Sequence, residues 1–173
     1  MVTVVAGGSV GGLGGAFAAL RIFSGVVWLS NGLAKVFLND NSRVDLGFIE
    51  FNLINQPTAR SLLERASEGT WQPLRSIYQD FVLGNWGFFA WFLTVAELFA
   101  GLLLVVGFAS RLGAVIPLLL IGPVWIMMWP KGLYLWEYPN ELFPLLLLAI
   151  VPSGRVFGRD KTMAPRFGGR WPF

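Results

Sequence analysis

Four apolar stretches divide this chain, and the polar residues within and between them carry most of its information. The stretches run from about Gly12 to Leu38, from about Asn85 to Phe108, from about Arg111 to Trp129 and from about Pro139 to Val151. A helix needs about 20 apolar residues to cross a hydrocarbon core, and the first three stretches have that length. The fourth is short and carries Pro144. Either the preceding "LYLWEY" is embedded with it, or its Trp and Tyr side chains fill the membrane edge, where amphipathic rings are favoured. Pro117 and Pro123 predict a bend in the third stretch.

Residues 39–84, between the first two stretches, form too long a connection to be a plain loop and should hold structure of their own. Ala59, Leu62, Leu63 and Ala66 recur at i, i+3, i+4, i+7 between Pro57 and Gly69, a start and stop pair for a short amphipathic helix. After Pro73, the residues Leu74, Ile77, Tyr78 and Phe81 repeat that spacing and predict a second. Helices on the membrane surface, or capping the bundle, would bury these one-sided stripes, as a structural cap or as a platform for a partner. The pattern as a whole predicts an all-α fold, a polytopic membrane four-helix bundle with a long outer connection containing short amphipathic helices. One integral membrane domain covers residues 1–173, ending in a basic tail over 152–173.

Composition supports a membrane class. Hydrophobic residues make up 55% of the chain and charged residues 13%, with a mean hydropathy of +0.62, whereas a soluble domain is about 25% charged. The chain has no cysteine and no histidine, which removes disulfides, thiol chemistry and any haem or metal ligated by those side chains. A redox cofactor would therefore be organic or belong to a partner. The start, "MVTVVAGGSVGGLGG", has no basic n-region and reads as part of a retained first helix rather than a cleaved signal peptide. Its glycines do not satisfy G-x-G-x-x-G after a strand, so they are no dinucleotide fingerprint.

The net charge of +3 and pI near 9.7 come without the basic and aromatic platform of a nucleic-acid binder, and read as membrane topology. Arg155, Arg159, Lys161, Arg166 and Arg170 face one acid, Asp160, in the tail, and Arg111 lies between the second and third stretches. The long connection sets Arg43, Arg60, Arg65 and Arg75 against Asp40, Asp45, Glu50, Glu64, Glu68 and Asp80. The positive-inside rule then places both termini in the cytoplasm and the connection outside a cytoplasmic membrane.

Candidate chemistry lies on the first helix. Arg21, Ser24, Trp28, Asn31 and Lys35 follow i, i+3, i+7, i+10, i+14 and share one face. A charge at the bilayer centre costs from about 3 to more than 10 kcal/mol, so this face turns inward and needs partners. Glu97 is the only acid in the second stretch. Counted from the cytoplasmic ends of the two stretches, Arg21 and Glu97 differ in depth by only ~3 Å, which predicts a buried Arg21–Glu97 pair. Lys35 lies toward the outer end, with Glu137, Glu141 and the connection, or snorkels to the interface. The stripe reads either as a polar staple between helices or as a site for a polar headgroup or quinone carbonyl. In the second reading Arg21 and Asn31 donate, Glu97 accepts and Trp28 forms a wall. Trp125, Met127, Met128, Trp129, Trp136 and Tyr138 crowd the outer end as an interfacial belt or a pocket for a flat ring.

With "LRIFSGVVWLSNGLAK" in the first span, "AELFAGLLLVVGFASRLGA" across the second and third, Glu141 opening the fourth and "PSGRVFGRD" after it, the chain resembles the DoxX-like membrane proteins. Within that family it is most similar to DoxD, the small subunit of thiosulfate:quinone oxidoreductase. The tail departs from the usual family ending in lacking its Ser, and the connection is longer than in compact DoxX chains. The resemblance implies a four-helix membrane bundle and, for the DoxD branch, a subunit that works with a second one to pass electrons from thiosulfate to quinone. It carries over no catalytic residue. The expected function is a membrane subunit of an oxidoreductase assembly that handles quinone or anchors a redox partner. The rival is a non-catalytic accessory subunit stabilising a larger respiratory or other membrane complex. Both imply contact with lipid and with another protein subunit; a small transporter is disfavoured because no inverted repeat is evident.

Overall fold

Long apolar runs become long helices, and their glycines decide how those helices meet. The computed structural model describes residues 9–38, 42–134 and 140–173 and is mostly helical. Among the described residues three helices are long and apolar enough to cross a membrane. They are α1 (Ser9–Phe37), α4 (Trp86–Val106) and α5 (Ser110–Met128), each close to the stretch that predicted it. Helix α5 runs on through Pro117 and Pro123 as one assigned helix and ends in a 3-10 turn, Trp129–Lys131. The fourth stretch forms α6, Leu142–Ile150, of only nine residues, about 14 Å long and roughly half a hydrocarbon core. Pro144 sits in its first turn, where no intrahelical partner is lost. The expected start of that span at Pro139, and Asp40, Trp136, Glu137 and Tyr138, lie outside the described residues.

Helices α1 and α4 form the tightest pairing. A Cβ on Gly25 would lie 2.7 Å from the Val105 nitrogen, one on Gly101 2.6 Å from the Leu29 nitrogen, and one on Gly32 2.9 Å from the Leu98 side chain. These contacts run in opposite directions along the two helices, so the pair is antiparallel. Small residues let backbones approach closely where lipid tails remove any hydrophobic drive between helices. Helix α5 packs on α4 and α6, with Leu104, Ala114 and Leu148 buried together and Phe17 and Leu20 of α1 against them.

The connection is structured, as expected, but not wholly helical. An antiparallel hairpin pairs β1 (Arg43–Asp45) with β2 (Glu50–Asn52). Its loop is closed by the Gly47 N–H donating to Asp45 Oδ1 at 2.7 Å, with Gly47 at φ +81°. Helix α2 (Gln56–Ser67) matches the first amphipathic prediction, and the Asn55 side chain caps it by accepting from the Thr58 N–H. Its Leu63 and Ala66 bury Met127 of α5, so Met127 is core rather than part of an interfacial belt, while Trp129 is exposed. The second predicted helix begins as α3 (Leu74–Ser76) and continues as a π-turn, Ile77–Val82. A π-turn closes i to i+5 bonds and takes up an extra residue per turn. The packed face is therefore Leu74, Tyr78 and Val82, while Ile77 and Phe81 stay exposed. Burial pushes the Tyr78 phenol up from its usual range, keeping it neutral in this apolar contact.

The tail folds back on the bundle through a 3-10 turn (Ser153–Arg155), α7 (Asp160–Met163) and a second 3-10 turn (Ala164–Phe167). Phe173 is buried with Ala109 and Ala164.

The α1–α4 contact gives a direct test. Gly101→Ala should lower stability by about 1–3 kcal/mol, because the methyl meets backbone that cannot rotate away. Gly122→Ala, which meets nothing within 4 Å, should be neutral or raise it by about 0.5–1 kcal/mol through helix propensity. Thermal unfolding of both variants in detergent reads the difference.

Candidate functional site

The polar face of α1 does two separate jobs at its two ends. Near the tail, Arg21 is fully buried. Its Nη1 donates to the Leu104 carbonyl at 2.5 Å and its Nη2 to the Phe157 carbonyl at 2.9 Å, with Val105 and Val156 carbonyls at 3.3 and 3.5 Å. Leu104 and Val105 belong to the last turn of α4, where carbonyls lack intrahelical donors and a cation is favoured. Asp160, also fully buried, serves the opposite need. It accepts the Ala109 and Ser110 N–H groups at 2.7 and 3.0 Å, placing a carboxylate on the start of α5. Asp160 is the acid whose field reaches Arg21. The ending "SGRVFGRD" thus ties the tail to both helix termini. Gly154 donates to Ser110 Oγ at 3.1 Å and the Asp160 N–H to the Gly107 carbonyl at 2.8 Å.

The predicted Arg21–Glu97 pair does not form. Counting depth from span ends assumed that α1 and α4 finish level at the tail end, whereas the glycine contacts set Gly25 against Leu104 and Val105. Arg21 therefore sits at the end of α4, seven residues beyond Glu97, a separation of about 10 Å along the axis. Glu97 pairs instead with Lys35, Nζ to Oε2 at 2.7 Å, with the side chains 2% and 11% exposed.

Lys35 also donates to the Ile54 carbonyl at 2.9 Å, and Asn31 Oδ1 accepts the Ile54 N–H at 2.8 Å. Both polar groups of one peptide residue in the connection are held by the α1 face. Non-helical backbone at membrane depth persists only where protein satisfies it, and these two side chains supply that.

Beside this cluster lies a cavity of about 260 Å³. Ser24, Trp28, Asn31 and Lys35 of α1 and Glu97 of α4 form its polar side, Leu120, Ile121 and Val124 of α5 face them, and Leu63 of α2 and Pro144 of α6 help close it. Asn140, Glu141, Pro144 and Leu145, at the head of the nine-residue α6, line its remaining side. Of the four predicted site residues, Trp28, Asn31 and Glu97 come together here and Arg21 does not. Ser24 and Lys35, read only as stripe members, belong to the wall, and Glu141 at the head of α6 joins it; its placement depends on where α6 starts, which periodicity does not reveal.

The wall is mostly apolar with a few convergent polar groups, the usual make-up of a small-molecule site. The Asn31 amide nitrogen has no acceptor among the described residues, since only its oxygen is engaged. Glu97 offers a second carboxylate oxygen beyond the one bound by Lys35. The cavity can therefore both donate to and accept from a polar head while apolar side chains hold its body. Among the described residues no cluster of three or more acids could hold a metal ion. No family model matches the chain, and no curated protein or solved structure matches it either.

A double-mutant cycle separates the two partnerships. Glu97→Leu or Lys35→Leu alone should cost about 3–5 kcal/mol by stranding a buried charge, and Glu97→Leu with Lys35→Leu should recover much of that. Arg21→Leu with Glu97→Leu should be additive to within about 0.5 kcal/mol. Melting curves in one detergent supply every term of the cycle.

Proposed function

We propose that this chain is a DoxX-like membrane subunit, related to DoxD, whose cavity holds the head of a lipid-soluble quinone within an oxidoreductase assembly. The observation that carries the reading is the cavity itself, where an indole, an amide with free N–H groups and a carboxylate meet against an apolar wall. A quinone ring presents carbonyls to the Asn31 amide and a flat face to Trp28. In its reduced form its hydroxyl donates to Glu97 or Glu141. The quoted family-like motifs supply the redox context, and the electron donor is then the business of a second subunit. In this reading α6 completes a four-helix bundle, and the basic tail lies in the cytoplasm with the connection outside.

One observation favours the accessory-subunit reading instead. Asn31 and Lys35 are tied to Ile54 and Arg21 to the tail, so three of the five stripe residues have a structural use without any ligand. The readings part on quinone content. Trp28→Ala removes the wall and Leu120→Trp fills the cavity, and neither touches a buried charge. Both should reduce quinone per mole of protein purified with its lipids several-fold while melting close to wild type. Wild-type protein that carries no quinone would support the accessory reading.

Sidedness is tested by thiol labelling, for which the absence of native cysteine leaves a clean background. In the connection Glu68, just after α2, is exposed. Glu68→Cys should react with an impermeant reagent in intact cells and Thr162→Cys only after the membrane is opened.

A further inference from the structure

The tail carries a second recognition surface, independent of the cavity. Its five cations, Arg155, Arg159, Lys161, Arg166 and Arg170, are all exposed, whereas its only acid, Asp160, is fully buried and spent on the start of α5. The surface is thus a net cation array with no exposed acid of its own. It is also rigidly placed. Arg155 Nη2 donates to the Gly169 carbonyl at 3.0 Å and to the main-chain oxygen of the final residue, Phe173, at 3.1 Å, and Phe173 packs on Ala109 at the α4–α5 turn. Arg155 and Lys161 flank a shallow depression floored by Ala164, Pro165 and Gly169. Among the described residues no Asp or Glu side chain answers either charge, and the Lys161 ammonium has no acceptor.

Location argues for the ligand. The tail is bonded to the end of α4 and the start of α5, where their apolar runs stop, and to α1 through Arg21; three rings beside the cations, Phe157, Phe167 and Trp171, are 81%, 55% and 56% exposed. Aromatic rings next to Arg and Lys at the end of spanning helices match the boundary between acyl chains and phosphates. We infer that the depression between Arg155 and Lys161 binds the phosphate of an anionic phospholipid, with the exposed rings resting at the acyl boundary. The folded tail then serves as a lipid-reading foot for the bundle.

The test uses the full-length protein in nanodiscs of phosphatidylcholine with and without phosphatidylglycerol, counting lipids retained on release by native mass spectrometry. The wild type should retain phosphatidylglycerol in several-fold preference. Lys161→Gln and Arg166→Gln, both exposed and neither making a side-chain bond within the tail, should each cut that preference by up to about fivefold. Raising salt should weaken it. Arg75→Gln, at the far end of the molecule, should leave it unchanged. Equal retention of both lipids by the wild type, or a preference unaffected by Lys161→Gln, would overturn the inference. So would inorganic phosphate stabilising the detergent-purified protein as well as phosphatidylglycerol does, since the site would then take a soluble anion.

Discussion

The close approach of α1 and α4 through Gly25, Gly32 and Gly101 is the constraint on which the remaining structure depends. Backbones in near contact leave no freedom to slide by a turn, because each turn would drive a side chain into the facing main chain. The register so fixed sends Arg21 past the last turn of α4 and brings Lys35 level with Glu97. Arg21, Asn31 and Lys35 of the α1 face then each find a partner that composition alone does not name. A different register would leave an unpaired acid in the middle of α4, the costliest outcome in a low-dielectric setting.

The two ends of the α1 face solve the same problem by different means. At the tail end, the α4–α5 turn exposes carbonyls of one helix and N–H groups of the next, and Arg21 and Asp160 meet them with opposite charges. At the other end, the connection descends beside α1, and Ile54 presents bare backbone to the interior. Asn31 and Lys35 satisfy it, and Glu97 neutralises the lysine. Polar residues in this apolar protein therefore answer chain ends and turns more than they answer one another.

The cavity lies where the head of α6 meets α1, α4 and α5. Glu141, Pro144 and Leu145 line it beside the Lys35–Glu97 pair, so a structural need and a chemically useful site coincide. That coincidence is why the proposed quinone site and the accessory role draw on the same residues, and why occupancy rather than geometry separates them.

Much was legible in the chain before folding. Apolar runs of bilayer length can only become helices, since a spanning segment must satisfy its own backbone, and so α1, α4 and α5 were readable to within a few residues. The i, i+3, i+7 spacing identified the polar face, and Pro57, Gly69 and the apolar repeat between them marked α2. Trp28, Asn31 and Glu97 were recognisable as neighbours because inward-facing polar residues in a bundle have few places to go. The pairing of charges was not legible, because it depends on the relative height of two helices, and helix height is set by a few short-range glycine contacts rather than by periodicity. The π-turn after Ser76 shifted the buried face for a similar reason, as packing against Met127 and Leu63 rewarded a wider turn than the local pattern implied. By itself the sequence determined which segments are helical and which faces are polar, since those follow from the period of one chain segment. Tertiary structure alone decided which charge meets which, because that is a property of two segments and of the steric contact that stops one sliding past the other.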